Sequence, residues 1–447
     1  MKQYTYIDLF SGPGGLCTGF ISEGFIPRIA VEWSDTTVVT YAKSHDAEIY
    51  ELKDLLAHLG NLEDVLKKTE KTCLIHGDIN LVSNELILEI LKKKFGEDTV
   101  DVVTGGAPCE SFSMAGKRLE DDDRNDLFSN ILRIAHVVDA KFVLFENVPG
   151  LLTKKRDGKK GGQIEYVFNE FERPDEKTGI FYRLASKDVS VFKCLASDYG
   201  TPQKRERIFI VGCNSKYPEN TFIYPEKTHG PGRKYPYVTV EDAFRYLPVL
   251  YSGEGADAMP YSPSYEEDFA AGKITEAAYL YYKFIFDDQH SGNLEYNSKI
   301  VTFHKALNHN KKMVRRLHEI KQGEGMQTAV DRLMAEGKED LVKEVFPRKI
   351  YGSRNRRLKP DEPSFTVTSH CLDEMIHPFY DRQPTPREVA RLQAFPDWYY
   401  INGPYVKFHS DPEQDKYEQI GDAIPVLMAK ALAKSMRAAL KEINDFF

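Results

Sequence analysis

The feature that most constrains this chain is an alternation. Between Tyr4 and Gly212 six short apolar runs, YTYIDLF, IPRIAVEW, TCLIHGDI, VDVVTGG, KFVLFENV and ERIFIVG, take turns with segments of helical period near residues 15–24, 35–44, 84–95, 127–139 and 163–172. The runs are rich in β-branched and aromatic residues and read as strands. Strands interleaved with helices imply an α/β architecture, a doubly wound and mostly parallel sheet with helices on both faces. KKRDGKKGG (154–162) reads as a flexible, charged loop beside that sheet. After Cys213 the alternation stops: residues 213–366 are rich in Pro, Gly and Tyr, with helical period only in HNHNKKMVRRLHEI and TAVDRLMAEGKEDLVKEVF. The expectation is a first domain over 1–212, a second, smaller and irregular one over 213–366, and a return segment, 367–447, that completes the first. The last helix, near 425–442, is amphipathic and opens on Pro425, a favoured first-turn residue.

A chain of 447 residues buries a large core, and its 41% hydrophobic and 29% charged content is that of an ordinary globular protein. No apolar run reaches the ~18–20 residues that span a bilayer. MKQYTYIDLF enters a strand pattern almost at once and shows no signal-peptide core. The cysteines, Cys17, Cys73, Cys109, Cys194, Cys213 and Cys371, are scattered without a CxxC pair or metal-ligand spacing, so we expect a reduced cytoplasmic protein and no metal. A net charge of −8 argues against a uniformly basic nucleic-acid binder. Charge is segregated, however: residues 300–360 carry fifteen Lys/Arg against seven Asp/Glu, while 251–290 carry eight Asp/Glu against two Lys. A basic segment in an acidic protein suits a local phosphate-binding surface, and a solvated helix face accounts for it equally well.

The chemistry-bearing residues gather where strands end. DLFSGPGGLCTGF (8–20) joins a strand to a helix through a Gly-rich turn but lacks GxGxxG, which disfavours a nicotinamide cofactor. Small residues there still let a ligand approach the backbone. VEW ends the second run with Glu32 and Trp33, a carboxylate for ribose hydroxyls and an indole for a purine face, and HGDI offers Asp78. GGAPCESFSMAG (105–116) sets Cys109 where a strand gives way to a loop. A buried structural thiol and a nucleophile at the sheet's carboxyl edge are both open readings of that stretch. ENVPG places Glu146 at another strand tip, and QKRERIFIVG brings Arg205 and Arg207, two residues apart and so on one face of an extended strand.

Together, DLFSGPGG, GGAPCESFSMAG, ENVPG, QKRERIFIVG, RQPTPREVARLQAFPDWY (382–399) and QIGDAIPVLMAKAL (419–432) closely resemble, in order and spacing, the DNA (cytosine-5)-methyltransferase family of the bacterial restriction-modification type. The resemblance implies a class I, Rossmann-like methyltransferase fold, with 213–366 as the target-recognition domain. It implies transfer of a methyl group from S-adenosyl-L-methionine to C5 of a cytosine flipped out of duplex DNA, leaving S-adenosyl-L-homocysteine. Carried over by motif, Cys109 is the nucleophile that adds to C6, a role that suits a soft thiolate. Pro108 stiffens the loop of Cys109, Glu146 in protonated form bonds N3, Arg207 holds the cytosine O2, and Arg205 supports the site. The cofactor set is Phe10, Gly12, Gly14, Gly15, Leu16, Glu32, Trp33, Asp78, Ile79, Pro108, Asp422 and Ala423. The segment 111–128 resembles a lid over the flipped base, with Gly116 as a hinge. Ser113, Lys117, Arg118 and Arg124 in that segment, and Arg354, Arg356 and Arg357 in the basic one, are the candidate DNA contacts. Two positions depart from the family pattern: Glu110 stands where Gln is usual and Asp422 where Asn is usual. The implied partner is double-stranded DNA, with no membrane or metal, a monomeric enzyme in the cytoplasm of a prokaryotic cell and at its nucleoid, and a cognate restriction endonuclease in the same system. Rival readings are a cytosine-5 transfer-RNA methyltransferase, whose Cys-Phe-Thr signature is absent, and a non-catalytic DNA-binding relative, which would have no need of Cys109, Glu146 and the paired arginines.

Overall fold

The computed structural model describes residues 3–107, 127–219, 221–287, 289, 291–407 and 413–446. The chain forms two compact units, one of Met1–Leu195, Glu206–Glu226 and Met428–Phe447, the other of Ala196–Arg205 and Lys227–Leu427.

The first unit is built on a nine-stranded sheet. Its strands are β1 (Tyr4–Leu9), β2 (Phe25–Glu32), β3 (Glu48–Glu51), β4 (Cys73–His76), β5 (Val102–Gly105), β6 (Phe142–Asn147), β9 (Tyr182–Leu184), β10 (Lys193–Leu195) and β12 (Glu206–Asn214). β7 (Lys155–Arg156) and β8 (Lys159–Lys160) form a separate hairpin, and β11 (Gln203–Lys204) belongs to the second unit. The sheet order is β10-β12-β6-β5-β1-β2-β4-β3, with β9 also on β12. The pairs from β6 through β3 are all parallel. β12 runs antiparallel to β6 and carries β9 and β10 antiparallel on its outer side. Chain order reverses direction at β1, whose neighbours are β2 and β5, and such switch points are where open α/β sheets take ligands. Because β12 is reversed, its first residues share an edge with the carboxyl ends of the parallel strands.

The expected mostly parallel, helix-covered sheet is thus the one observed. Alternating side chains divide its faces: Ile7, Leu9, Ile29, Val31, Val103, Val143 and Phe145 enter one apolar core, while Tyr6 packs on Phe20 at 5.3 Å on the opposite face. The helices include α1 (Gly15–Ile21), α2 (Asp35–His45), α3 (Leu52–Ala57), α4 (Asn84–Ile90), α5 (Ser129–Val137) and α6 (Gly162–Glu172). The C-terminal helix Val426–Phe446 runs against α1 so closely that a Cβ on Gly19 would stand 2.6 Å from that of Ala429. β3, β9 and β10 escape the sequence reading because three or four residues are too few to show a period. The single helix expected over 84–95 is α4 followed by a π-helical turn, Leu91–Phe95, which accompanies burial of Lys94 against Glu48 at 2.8 Å. KKRDGKKGG is not a loose loop but the β7–β8 hairpin, turned at Asp157 (φ 51°) and Gly158 (φ 75°).

Among the described residues the second unit has two apolar cores. One gathers Tyr281, Tyr282, Phe395, Trp398 and Tyr399, the other Leu317, Met326, Leu333 and Phe346. HNHNKKMVRRLHEI contributes the helix Lys311–Glu319, capped by Asn310. The next expected helical stretch is two helices, Met326–Ala335 and Glu339–Val345, parted at Gly337 in the left-handed region (φ 75°).

Candidate active site

Three residues of the turn after β1 are left-handed: Phe10 (φ 54°), Gly12 (φ 54°) and Gly14 (φ 93°). A Cβ on Gly12 would meet nothing within 4 Å, so the backbone there is open to a close visitor. The turn is tied to the end of β2, where the buried Glu32 accepts from Gly12 N at 2.8 Å and Ser34 N at 2.9 Å. Burial pushes the Glu32 carboxyl up, against these backbone bonds, which favour its charge. Next to it Trp33 is 75% exposed, an apolar side chain with no core to enter. Across the strand ends, the exposed Asp78 caps a single 3-10 turn by accepting from Asn80 N at 2.9 Å, and Ile79 behind it is buried. Gly15 and Leu16 begin α1 and are buried. The donor set fits an adenosine: a carboxylate acceptor pair, an exposed indole, and a glycine turn with space above it.

The second cluster lies at the tips of β5, β6 and β12. Glu146, 9% exposed, forms an ion pair with Arg207 Nε at 2.9 Å. The pairing follows from register: Phe209 faces Glu146 across the ladder, so Arg207 sits diagonally on the same face. Arg207 also donates to Glu206 O at 2.8 Å. The other carboxylate oxygen presses on the strand β5 exit, where a Cβ on Gly106 would stand 2.8 Å from Glu146 Oε2. Asn147 Nδ2 donates to Ala107 O at 3.3 Å. β6 therefore holds the chain leading into Pro108 by both of its last residues.

Pro108, Cys109, Glu110, Ser113, Gly116, Lys117, Arg118 and Arg124 lie outside the described residues. Arg205 and Arg207 do not share one strand face, because the strand is interrupted at Arg205 between β11 and β12. Arg205 is buried in the second unit and donates to Val367 O. Asp422 and Ala423 also belong to that unit. Asp422, exposed, ends the helix Lys416–Asp422 and accepts from Gln414 Nε2 at 3.2 Å. Gly421 before it tolerates no side chain, since a Cβ would meet Thr368 O at 2.2 Å. Gln393 Nε2 holds the turn by donating to Ile420 O and Ala423 O. Of the basic candidates, Arg354 is exposed and paired with Asp373 at 3.4 Å, and Arg356 stacks on Phe365 at 3.5 Å. Arg357 is corrected from a DNA contact to an internal brace. It is buried, and its N–H groups go to Ile320 O, His377 O, Tyr380 O, Leu317 O and Asp381 Oδ1, which uses all five donors of a guanidinium.

Sequence reading missed four contributors. Gly106 and Asn147 position the loop before Pro108, and only their contacts reveal it. Asp8, buried on β1, accepts from Thr104 Oγ1 at 2.8 Å, its Oδ2 has no hydrogen-bond partner among the described residues, and burial pushes the carboxyl up to about 7. His76 stands between Glu51 (2.9 Å) and Asp35 (3.0 Å), where the two carboxylates outweigh burial and raise its pKa. Its position beside Gly77 and Asp78 was the only signal in the sequence.

A family model for C-5 cytosine-specific DNA methylases matches residues 4–438. The type II methyltransferase M.DdeI of Desulfomicrobium norvegicum is 28% identical over 440 residues, 98% of this chain and 89% of that protein. The type II methyltransferase M1.HphI of Haemophilus parahaemolyticus is 27% identical over 436 residues, 97% of this chain and 86% of that protein. A crystal structure described as a DNA modification methyltransferase encoded within an E. coli prophage superposes with a TM-score of 0.67 at 23% identity, over 99% of each chain, a likeness of fold. Switch-point sheet, strand-tip cluster and a family match over nearly the whole length converge: this chain belongs to the C-5 cytosine-specific DNA methylase family and is a DNA cytosine methyltransferase.

Proposed function

We propose that the enzyme methylates C5 of a flipped-out cytosine by way of a transient bond between Cys109 and C6. S-adenosyl-L-methionine, held by the turn Phe10–Leu16 and by Glu32, Trp33, Asp78 and Ile79, supplies an electrophilic methyl. The Cys109 thiolate adds to C6 and gives C5 enamine character, so that C5 takes the methyl. A base then removes the C5 proton and the thiolate departs, restoring the ring. Glu146, protonated when the base is in place, donates to N3, and Arg207 takes O2, so charge developing on the ring meets prepositioned donors. Extrusion of the base costs a few kcal/mol of unstacking, repaid by this enclosure.

The observation that carries this reading is the Glu146–Arg207 pair, held at one sheet edge beside the loop that leads to Cys109. The other cysteines lend support. Cys17, Cys73, Cys194, Cys213 and Cys371 are all buried, and burial pushes the Cys73 thiol to about 12 and that of Cys213 to about 11, far from a reactive thiolate. Residues 213–366 would choose the DNA sequence, Arg354 and Arg356 among their backbone contacts. Lys117, Arg118 and Arg124 with Ser113 would meet the DNA from the lid. We place the enzyme, as a monomer, in the prokaryotic cytoplasm within a restriction-modification system.

The test is transfer of labelled methyl from S-adenosyl-L-methionine to duplex DNA and to transfer RNA, with Cys109→Ser alongside. Transfer to DNA, lost by at least about a thousandfold in the variant, is expected. Transfer to transfer RNA alone, or an unchanged rate without the thiol, would overturn the assignment.

A further inference from the structure

The KKRDGKKGG stretch has no part in the chemistry above, yet the fold builds it with care. In the β7–β8 hairpin Lys155 faces Lys160 and Arg156 faces Lys159. Like charges opposed across a ladder repel, and a ribbon this short has little stability of its own. It is nevertheless held at several points. Asp157 and Gly158 adopt the left-handed conformations of a two-residue turn. The Arg156 guanidinium stacks on Tyr166 of α6 at 3.6 Å and donates to Gln163 at 3.3 Å. Gly161 N donates to Lys154 O at 3.1 Å, and Gly162 has no room for a side chain, since a Cβ would stand 2.7 Å from Arg156 O.

The cationic tips are left outward. Lys155, Lys159 and Lys160 are exposed; Lys159 reaches Glu165 on the surface, and neither Lys155 nor Lys160 has a carboxylate partner among the described residues. A rigid frame that opposes its own cations is relieved by an anion, and a polyanion relieves both facing pairs at once. The hairpin follows β6 after only seven residues, 148–154, and so springs from the strand that carries Glu146 as its next-to-last residue. Residues 153–162 contain no large apolar side chain, which removes the anchor a lipid surface would need.

We propose that the β7–β8 hairpin is a sequence-independent grip on the DNA backbone, with Lys155, Lys159 and Lys160 taking phosphates near the base that Glu146 serves. The proposal rests on the reading that duplex DNA is drawn to the sheet edge bearing Glu146. It adds a DNA contact in the catalytic unit itself, separate from the target-recognition residues.

The experiment compares the full chain with its Lys155→Ala/Lys159→Ala/Lys160→Ala variant. Binding to duplexes of about 30 base pairs and of unrelated sequence is followed by fluorescence anisotropy between ~50 and ~200 mM salt, a range in which each phosphate contact contributes about 0.9 to the slope of log Kd against log salt. The variant is expected to bind every duplex more weakly, by about the same factor, with a slope shallower by about 2 to 3. Its kcat at saturating DNA should match the parent, and its Tm should equal or exceed the parent's, the gain shrinking as salt screens the repulsion. An unchanged slope, a loss confined to one sequence, or a lowered Tm would overturn the grip while leaving the methyltransferase reading intact. Failure of the parent chain to bind any duplex would instead sink that reading, and the grip with it.

Discussion

The second unit and the sheet edge of the first treat buried charge in opposite ways. In the second unit Arg382 holds Glu388 through two bonds of 2.7 and 2.8 Å, and Arg391 holds Asp397 through two of 2.7 and 3.0 Å. Further guanidinium donors close on backbone, at Leu250 O and Gln383 O for Arg382 and at Ala243 O and Arg245 O for Arg391. Burial alone would raise both acids, but the arginines outweigh it and hold both below the usual carboxylate values. At the sheet edge Glu146 meets the Arg207 guanidinium at the strand tips, and Asp8, bonded by Thr104 at one oxygen, has no hydrogen-bond partner for the other among the described residues. A network bonded this densely inside a core keeps a shape. Carboxyls buried at strand tips, beside a glycine turn and a loop exit, are instead placed where a substrate can reach them.

That contrast can be broken by exchanging each carboxylate for its amide. Glu146→Gln should lower kcat by ~10^2–10^4-fold, the worth of a proton-donating group, while changing stability by only about 1 kcal/mol, because the amide still accepts from Arg207. Methylation rate and thermal unfolding, measured on one preparation, separate the two. Asp397→Asn should do the reverse: a loss of about 3–5 kcal/mol, since it leaves Arg391 buried beside a neutral group, seen as a lower Tm, with near-normal kcat in the fraction that stays folded. An inactive but fully stable Asp397→Asn protein would erase the distinction between the two regions. Asp8→Asn sharpens it through pH. The folded carboxyl, at about 7, lies above its unfolded value of ~3.9, so the parent loses stability as pH rises through that window. The amide removes this slope, and the variant should gain several kcal/mol, at most ~4, over the parent near pH 8 and little near pH 4. Parallel stability curves for the two proteins would mean that Asp8 is solvated.

Legibility in the sequence followed the length and regularity of each element. Long apolar runs with a clear period, such as KFVLFENV, became β6 where expected, and Glu146 at its tip was visible as a carboxylate in an apolar context. The edge strands β3, β9 and β10 were not, because so few residues carry no period and are held by their neighbours. Arg357 and Arg356 look alike as neighbours in YGSRNRRLKP, yet one is held by four backbone carbonyls and Asp381 and the other stacks on Phe365. The hairpin was hidden because a run of lysines reads as solvated until the turn at Asp157–Gly158 and the Tyr166 ring fix it.

The sequence by itself determined the layered α/β class, the order of the chemical motifs and the strand tips at which they fall, since period and turn residues act locally. Tertiary structure alone decided which charges meet. β12 runs backwards beside β6, and only that reversal brings Arg207 to Glu146, some sixty residues apart in the chain and 2.9 Å apart in space. Pairing of that kind is set by sheet register and by the fit of side chains across it, and neither is written in any one segment.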